Sequence, residues 1–300
     1  MTFFALELER IKYMKIGYFG FNMGALATPS SIKSILTKVE ECGFESAWTG
    51  EHIVAIDPQE PPSPIPPEYP FLDTIASLSF AAATTSRLKL GSGIILLAQR
   101  NPVILAKELA GIDVLSAGRL IVGVGVGYVK GEFDALGVPF IERGARTSEN
   151  IEAMRSLWTQ EKPHFDGKFS SFGSIQSKPT PIQIPHPPII VGGMSVPAYR
   201  RAVIHGSGWY GFNQTLEAAG KSISALKLAA LESNRPVELG RLSISVTPQG
   251  TVDVDTVKQF EDLGVDRLIL LPKGRRGPME KALQFIEETA EHLNEVLTPD

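Results

Sequence analysis

The sequence predicts an α/β protein of the (β/α)8 TIM-barrel class, and two observations carry that prediction. From Met14 onward, short apolar β-rich runs alternate with segments of helical periodicity, and eight such strand–helix units follow one another. The strands are apolar throughout, which indicates a parallel sheet covered by helices on both faces. Eight units in about 250 to 300 residues match a closed barrel. A doubly wound open sheet has the same repeat and stays open as an alternative.

Each unit contains a recognisable strand followed by an amphipathic or apolar helix. In the first helix Ile32, Ile35, Leu36 and Val39 fall on one face, and Gly43 supplies the C-terminal stop. The eight strand and helix pairs are KIGYFGF with PSSIKSILTKVEECG, FESAWTG with FLDTIASLSFAAATTS, LKLGSGIILL with PVILAKELAGIDVLS, RLIVGVGVG with RTSENIEAMRSLWTQ, PPIIVGG with VPAYRRAVIHG, GWYGFN with TLEAAGKSISALKLAALESN, RLSISVT with VDTVKQFEDLG, and VDRLILLP with GPMEKALQFIEETAEHLNEVL.

Two connections are much longer than the usual loop of about 2 to 6 residues. The Pro-rich segment EHIVAIDPQEPPSPIPPEYP follows the second predicted strand, on the face where barrel active sites lie. We interpret it as a lid or a wall of a substrate pocket, and the alternative is a surface loop without function. The segment EKPHFDGKFSSFGSIQSKPTPIQIPHPP precedes the fifth predicted strand, and its FDGKFSSF part predicts a small hairpin.

Composition limits the partners and the compartment. The 300 residues carry a net charge of −4 with both signs mixed along the chain, which gives no basic surface for nucleic acid or anionic membranes. No apolar run reaches the ~18 residues that span a bilayer, and the N-terminus does not resemble a signal peptide. The single cysteine, Cys42, forms no internal disulfide. We therefore predict a cytoplasmic protein with a small-molecule partner.

The predicted domain organisation is simple. Residues 1–13 precede the first convincing strand and are interpreted as an N-terminal extension, either an upstream part of the reading frame or a short leader helix. Residues 14–300 form a single barrel domain.

Function in a barrel lies at the C-terminal ends of the strands, so those ends identify the candidate site. They bring Phe21 and Asn22, the pair Glu51 and His52, and several glycine-rich turns to one mouth. The apolar residues Phe21, Tyr128 and Trp209 suggest a largely apolar or aromatic substrate. The mouth is rich in glycine and aromatic residues and poor in charge.

The glycine-rich strand GVGVGY has two interpretations. Gly123, Gly125 and Gly127 alternate, and alternate residues of a strand face the same way, which leaves room for a planar ring. Alternatively, small residues are required there only for packing.

The turn VGGMS also has two interpretations. Its glycines and the N-terminus of the next helix could cradle a phosphate, with Ser195 as hydroxyl donor, or Ser195 could be only an N-cap.

His52 is the best titratable candidate. An imidazole at a strand end titrates near neutrality and serves as general acid or base, although a lone histidine is often structural. The five histidines show no metal-ligand spacing, and no G-x-S-x-G elbow of a serine hydrolase occurs.

Several motifs together resemble the bacterial luciferase-like monooxygenase family, in particular its branch of deazaflavin (coenzyme F420)-dependent oxidoreductases. They are KIGYFGF, GFESAWTGEHI, the segment Leu88–Tyr128, ERGARTSENIEAMRSLW, PPIIVGG and GVDRLILLP. The resemblance runs from Met14 to about Leu271. It implies a (β/α)8 barrel that binds a flavin or a 5-deazaflavin at its mouth, with a cis peptide between Gly93 and Ile94. The implied cofactor-binding residues are Ser92, Gly93, Ile94, Gly125, Gly127, Tyr128, Gly192, Gly193, Met194 and Ser195.

The resemblance also implies a reaction. His52 holds or delivers a proton and Glu51 either orients it or binds the strand, while a hydride passes between coenzyme F420 and a small organic substrate. FMN is the alternative cofactor, with monooxygenation as the reaction, because the deazaflavin does not activate oxygen. Arg143 and Arg146 either reach a phosphate or lie in a solvated helix start. The family further implies a homodimer.

Two other functions remain open at this point. One is an aldolase- or isomerase-type barrel with a phosphate site at VGGMS, although no lysine suited to Schiff-base chemistry lies at the predicted mouth. The other is a barrel that binds a flavin without catalysing a reaction. Such a protein would not require His52.

Overall fold

The computed structural model describes residues 14–272 and 277–297. The predicted N-terminal extension, residues 1–13, lies outside the described residues.

Eight parallel strands close into a barrel, so the predicted (β/α)8 fold is confirmed. The strand order around the barrel is β1, β2, β3, β5, β8, β9, β10 and β11, and β11 pairs with β1 to close it. β4 continues β3 after a break and pairs with β5. The strands are Lys15–Phe19 (β1), Ser46–Thr49 (β2), Lys89–Ser92 (β3), Ile95–Leu96 (β4), Leu120–Gly125 (β5), Phe165–Asp166 (β6), Ser171–Phe172 (β7), Ile189–Gly192 (β8), Gly208–Gln214 (β9), Ser243–Pro248 (β10) and Arg267–Leu270 (β11).

Helices cover the outside of the barrel. The helices of the described residues are Pro29–Glu41 (α1), Thr74–Thr84 (α2), Pro102–Leu115 (α3), Lys130–Ala135 (α4), Arg143–Thr159 (α5), Val196–His205 (α6), Leu216–Ser233 (α7), Val254–Asp262 (α8) and Met279–His292 (α9). The short helix α4 was not predicted, because six residues show no helical period and its N-cap makes no side-chain hydrogen bond. The predicted hairpin is confirmed, since β6 and β7 pair antiparallel.

Local sequence determines where several helices begin. Thr28, Asp73, Asn101, Thr215 and Asp253 each precede a helix, and the side-chain oxygen of each accepts a hydrogen bond from a backbone N–H of the first turn. Such caps satisfy donors that have no partner inside the helix and are worth about 1 kcal/mol each.

Two apolar layers hold the barrel together. The larger one lies between the strands and the surrounding helices. The smaller one fills the barrel interior, where Trp48 stacks on Tyr210 with 6.0 Å between ring centroids. An added Cβ at Gly91 would overlap the indole of Trp48, so this position requires glycine. The interior below the mouth is therefore a packed core, as in other barrels of this class.

The Pro-rich loop after β2 is clasped at both ends by Asn22. The fully buried Asn22 amide donates to Gly50 O at 3.1 Å and to Leu72 O at 2.8 Å, and its oxygen accepts from Gly50 N at 3.0 Å. Tyr69 and Phe71, near the end of the loop, pack against the interior layer. The loop therefore forms one wall of the mouth.

The second long connection lies at the opposite end of the barrel. Asp113 accepts hydrogen bonds from the backbone N–H groups of Ile182 and Gln183 at 2.8 and 3.0 Å. The Gln183 amide also donates to the carbonyl of Leu120, the first residue of β5. This segment is thus held away from the mouth.

Replacing Asn22 by Ala should loosen the loop that it clasps. Because the variant leaves the N–H and C=O of buried Gly50 without this partner, we expect a loss of about 2 to 4 kcal/mol in the free energy of unfolding. Limited proteolysis of the native protein should cut within residues 51–71 faster than in wild type. Gln59→Ala, which removes only an exposed bond within the loop, is the control. Equal cleavage rates for all three proteins would contradict the clasp.

His205 should make the fold sensitive to acid. Burial, followed by the positive charges of Arg155 and Arg201, lowers the pKa of His205 from 6.5 to about 4. Glu152 lies 3.5 Å from its Nδ1 but is half exposed, so solvent weakens that attraction. Between pH 6.5 and 4 the unfolded chain therefore binds a proton that the folded chain does not bind, and the free energy of unfolding falls as the pH falls.

The variant His205→Gln removes this titrating group. Its free energy of unfolding should decline less between pH 6.5 and 4.5, by up to about 2 to 3 kcal/mol, as measured by urea unfolding at a series of pH values. Above pH 7 the two proteins should show a constant difference. Parallel curves over the whole range would rule out this role of His205.

Candidate functional site

The mouth of the barrel is lined mainly by apolar and aromatic side chains. The rings of Phe19 and Phe212 lie 5.4 Å apart, centroid to centroid. An added Cβ at Gly50 would lie 2.8 Å from both Met23 and Phe71, so the absence of a side chain there lets these two residues close over the end of β2. A flat apolar molecule suits such a surface.

His52 lies beside this mouth and contacts a carboxylate that is remote in sequence. Its Nδ1 is 2.6 Å from Oε1 of Glu132, and 13% of its side chain is exposed. The edges of the His52 ring meet Phe71 at 5.6 Å and Tyr128 at 6.5 Å between centroids. These three contacts hold the imidazole in one orientation.

Glu132 comes from the unpredicted helix α4 and was missed by the sequence analysis. It is buried, and its second oxygen accepts a hydrogen bond from Nε2 of Gln99 at 3.2 Å. Among the described residues no lysine or arginine forms an ion pair with Glu132. Its separation of 80 positions from His52 gave no signal in the sequence.

Glu51 does not contact His52, so of the two roles implied for it the structure fits the binding of neighbouring chain and not the orientation of His52. Oε1 of Glu51 accepts hydrogen bonds at 3.1 Å from Leu96 N and from Nε of Arg100. The two adjacent residues therefore reach different partners. Burial raises the pKa of Glu51, although the Arg100 guanidinium acts in the opposite direction. Arg100 also contacts Asp73, the N-cap of α2, at 2.8 Å.

The peptide bond between Gly93 and Ile94 is cis, as the resemblance implied. It separates β3 from β4 and turns the Ile94 side chain toward β5 and β8. An added Cβ at Gly125 would overlap Cδ1 of Ile94, and one at Gly192 would lie 3.0 Å from the same atom. The glycines therefore leave room for Ile94, and a ring at the mouth would contact Ile94 rather than the glycines themselves.

Ser92 at the end of β3 and Gly127 after the end of β5 do not face the mouth. The hydroxyl of Ser92 is buried, donates to Gly123 O and accepts from Gly123 N, both at 2.8 Å, and so ties β3 to β5. Gly127 has φ +77° and faces Phe133. The prediction that Gly123, Gly125 and Gly127 share one face is wrong for Gly127, because β5 ends at Gly125 and the alternation ends with it.

The VGGMS turn leads from β8 into α6 and is exposed at Gly193, Met194 and Ser195. Trp209 donates from its indole nitrogen to Gly193 O at 2.8 Å, and the Gln214 amide donates to the Met194 sulfur at 2.6 Å. These two contacts hold the turn. The hydroxyl of Ser195 makes no capping hydrogen bond, so the simple N-cap interpretation is not what the structure shows.

Phe21 and Trp209 do not line the mouth, which corrects the sequence prediction. Both are fully buried in the layer between strands and helices. Trp209 faces outward because Tyr210, the next residue of β9, faces the interior. Tyr128, by contrast, is 52% exposed beside His52.

Arg143 and Arg146 are engaged at the start of α5. Arg146 forms a two-bond ion pair with Glu142 at 3.1 and 2.9 Å. Arg143 donates to Phe140 O, and its guanidinium lies 3.8 Å above the Phe140 ring. Arg146 is thus paired with the residue that directly precedes its own helix.

Neither metal-binding clusters nor membrane-spanning helices occur in residues 14–272 and 277–297. No three His, Cys, Asp or Glu side chains there form a group that could hold a metal ion. No helix in those ranges combines the length and the apolar character needed to cross a bilayer.

Comparison with known proteins identifies the family. The profile of the luciferase-like monooxygenase family matches residues 14–266. An uncharacterized protein of Mycobacterium tuberculosis is 45% identical over 121 residues, 40% of this chain and 43% of that protein. The FMNH(2)-dependent dimethylsulfone monooxygenase of Pseudomonas putida is 36% identical over 162 residues, 53% of this chain and 44% of that enzyme. The matches span less than half the length of these two relatives.

A solved structure agrees with the fold. An F420-dependent secondary alcohol dehydrogenase, in complex with an F420-acetone adduct, superposes with a TM-score of 0.75 at 16% identity and covers 95% of this chain and 99% of its own. The predictions of the family and of an enzyme of that family are confirmed. This chain therefore belongs to the luciferase-like monooxygenase family.

Proposed function

We propose that the protein is an oxidoreductase that transfers a hydride between coenzyme F420 and a small organic substrate, with His52 as the residue that accepts or donates the accompanying proton. The observation that carries the proposal is the His52 imidazole, which is held against Glu132 through Nδ1 and lies at the edge of an apolar mouth. A position at a strand end on the mouth side of a barrel is where catalytic groups of this fold lie.

The shape of the mouth fits a flat ring system. Ile94 is partly exposed and is supported from behind by Gly125 and Gly192, which makes a flat apolar floor. Phe71 and Tyr69 form a wall on the side of the Pro-rich loop. A deazaflavin or flavin ring on Ile94 would supply the hydride chemistry, and the surrounding aromatic side chains would exclude water from it.

The exposed start of α6 suits the anionic end of such a cofactor. Gly193, Met194 and Ser195 precede a helix of ten residues, and the first N–H groups of a helix attract anions. Gly193 has φ +122°, a conformation that glycine adopts without strain. We assign these three residues and the Ser195 hydroxyl, which caps no backbone group, to the phosphate of the cofactor.

The choice of F420 rests on the motifs Leu88–Tyr128 and ERGARTSENIEAMRSLW, which resemble the deazaflavin branch. The second candidate is an FMN-dependent monooxygenase, favoured by the relative from Pseudomonas putida. The same floor and the same histidine would serve either ring. A cytoplasmic location is part of this proposal.

Binding experiments distinguish the two cofactors. Titration of the protein with oxidised F420 and with oxidised FMN, followed by fluorescence and by thermal stability, should show F420 binding at least tenfold tighter. Tighter binding of FMN would replace the first candidate by the second. Failure of both to bind would overturn the proposal.

The variant Gly125→Ala tests the assigned floor. Its methyl group would overlap Cδ1 of Ile94, so the Ile94 side chain must move toward the mouth and into the space of the ring. We expect at least tenfold weaker cofactor binding with a melting temperature within a few degrees of wild type. Adding Ile94→Val removes Cδ1 and should restore most of the affinity. Unchanged affinity in Gly125→Ala would show that the ring does not lie on Ile94.

We further propose that the protein is a homodimer that associates through α2 and α3. The outer faces of these adjacent helices carry exposed apolar side chains: Phe80, Ile104 and Leu115 are 37%, 60% and 69% exposed. Helices that are apolar on all sides are usually covered. Gly111 on α3 has open space beside it, which permits close approach of another helix.

The charges on this face favour a second copy as the partner. Lys107 and Glu108 are adjacent on α3, one of each sign. A two-fold axis pairs residue i with j and j with i, so it can place each of these charges near the opposite charge of the other chain.

Ile104→Glu should therefore convert the dimer to a monomer. A carboxylate at the centre of an apolar interface would lose its solvation, whereas the same residue on the free monomer stays in water. Light scattering after gel filtration at micromolar concentration measures the mass. Leu231→Glu on α7, where the leucine is 82% exposed, is the matched control and should stay dimeric. A monomeric wild type, or a dimeric Ile104→Glu variant, would contradict this interface.

A further inference from the structure

We propose that Glu132 is the positioning residue of the site, holding His52 in the tautomer that carries its proton on Nδ1, so that Nε2 is the nitrogen that exchanges a proton with the substrate. This inference rests on the proposed function, in which His52 handles the proton. It adds a residue, an atom and a tautomer that neither the motifs nor the family match assign.

The contact between the two side chains defines the tautomer. An ionised carboxylate only accepts hydrogen bonds, so at 2.6 Å from Oε1 the neutral imidazole must donate from Nδ1. A neutral imidazole carries one proton, and Nε2 is then left with a free lone pair. That lone pair is what a general base requires.

The burial of Glu132 argues against a purely structural role. Its side chain is 2% exposed, and in the described part of the chain His52 is the one basic side chain that forms an ion pair with it. A buried carboxylate without a cation is costly. The cost is offset when His52 takes up a proton on Nε2 and becomes positive, so the pair stabilises the charge that proton transfer creates.

Glu51 is a second buried carboxylate beside the mouth, and its partner differs from that of Glu132. It is equally buried but is paired with Arg100, whose charge is permanent. A carboxylate with a permanent cation ties elements together, and here it joins the end of β2 to the segment after Ile94. Among the described residues beside the mouth, one buried carboxylate is therefore paired with a permanent cation and the other with an imidazole.

Gln99 fixes the plane of the Glu132 carboxylate. Its Nε2 donates to Oε2 at 3.2 Å, so each oxygen of Glu132 has its own directed partner. Gln99 ends a short 3₁₀ helix, Leu97–Gln99, that directly follows β4. The floor formed by Ile94 and the support of the acid–base group therefore belong to one short segment.

In an alcohol oxidation, Nε2 of His52 would accept the hydroxyl proton while the C–H bond breaks and a carbonyl forms. A bound deazaflavin or flavin would supply the acceptor for the hydride that leaves with the C–H electron pair, so that the alcohol is oxidised and the acceptor reduced. In the reverse direction the protonated His52 would donate from Nε2 to the developing alkoxide.

Nitrogen NMR of histidine-labelled protein tests the tautomer without any cofactor. The His52 signals are assigned from their absence in His52→Gln. In wild type at a pH where the ring is neutral, Nδ1 should carry the proton. In Glu132→Met, which removes the acceptor and keeps a side chain of similar length, the proton should move mainly to Nε2.

Glu51→Gln is the matched control, because Glu51 contacts Leu96 and Arg100 and not His52. Its His52 tautomer should be that of wild type. Melting temperatures verify that each variant is folded, and Glu132→Leu, which also lacks an acceptor, replaces Glu132→Met if the latter does not fold. A wild-type ring protonated on Nε2, or a tautomer unchanged in the Glu132 variant, would overturn the inference. Because no cofactor is involved, this failure is separate from a failure of F420 and FMN to bind.

Discussion

Side chains alternate along every strand of the closed barrel, and the arrangement of the mouth depends on this constraint. In β9, Tyr210 points into the interior and stacks on Trp48, so the adjacent Trp209 must point outward to the helices. Trp209 then reaches Gly193 from below and supports the turn at the start of α6. A residue that looks like part of a substrate pocket is in this way a support for the candidate phosphate site.

Beyond the end of β2, the two adjacent residues Glu51 and His52 reach different partners. Glu51 turns toward Leu96 and Arg100, while His52 turns toward Glu132. The first contact is an ion pair with a permanent cation, and the second is a hydrogen bond to an imidazole. Burial makes both carboxylates dependent on their partners, because an unpaired charge in the interior is unfavourable. Glu51, which ties chain segments together, and Glu132, which contacts His52, are therefore distinguished by their partners and not by their degree of burial.

The glycines of the mouth illustrate how an apolar surface is built from backbone and one side chain. Gly125 and Gly192 have no side chains of their own, and the space beside them is filled by Ile94. The floor is thus made by Ile94, which lies in the break between β3 and β4. The wall comes from the Pro-rich loop, whose two ends are tied together by one buried amide at Asn22. Floor and wall both depend on contacts between segments distant in sequence.

The sequence by itself determined the fold class, the family, the strand ends that meet at the mouth and the position of His52 among them. These features follow from local periodicity and from short motifs, which are properties of neighbouring residues. Tertiary structure alone decided that Glu132 and not Glu51 contacts His52, that Ile94 fills the space beside the glycines, and that Phe21 and Trp209 face away from the mouth. The physical reason is that these outcomes depend on which way a side chain points at a strand end and on where an irregular segment places its residues. The break at Gly93 and the six-residue helix that carries Glu132 show no periodic sequence pattern. Their tertiary contacts could therefore not be predicted from the sequence.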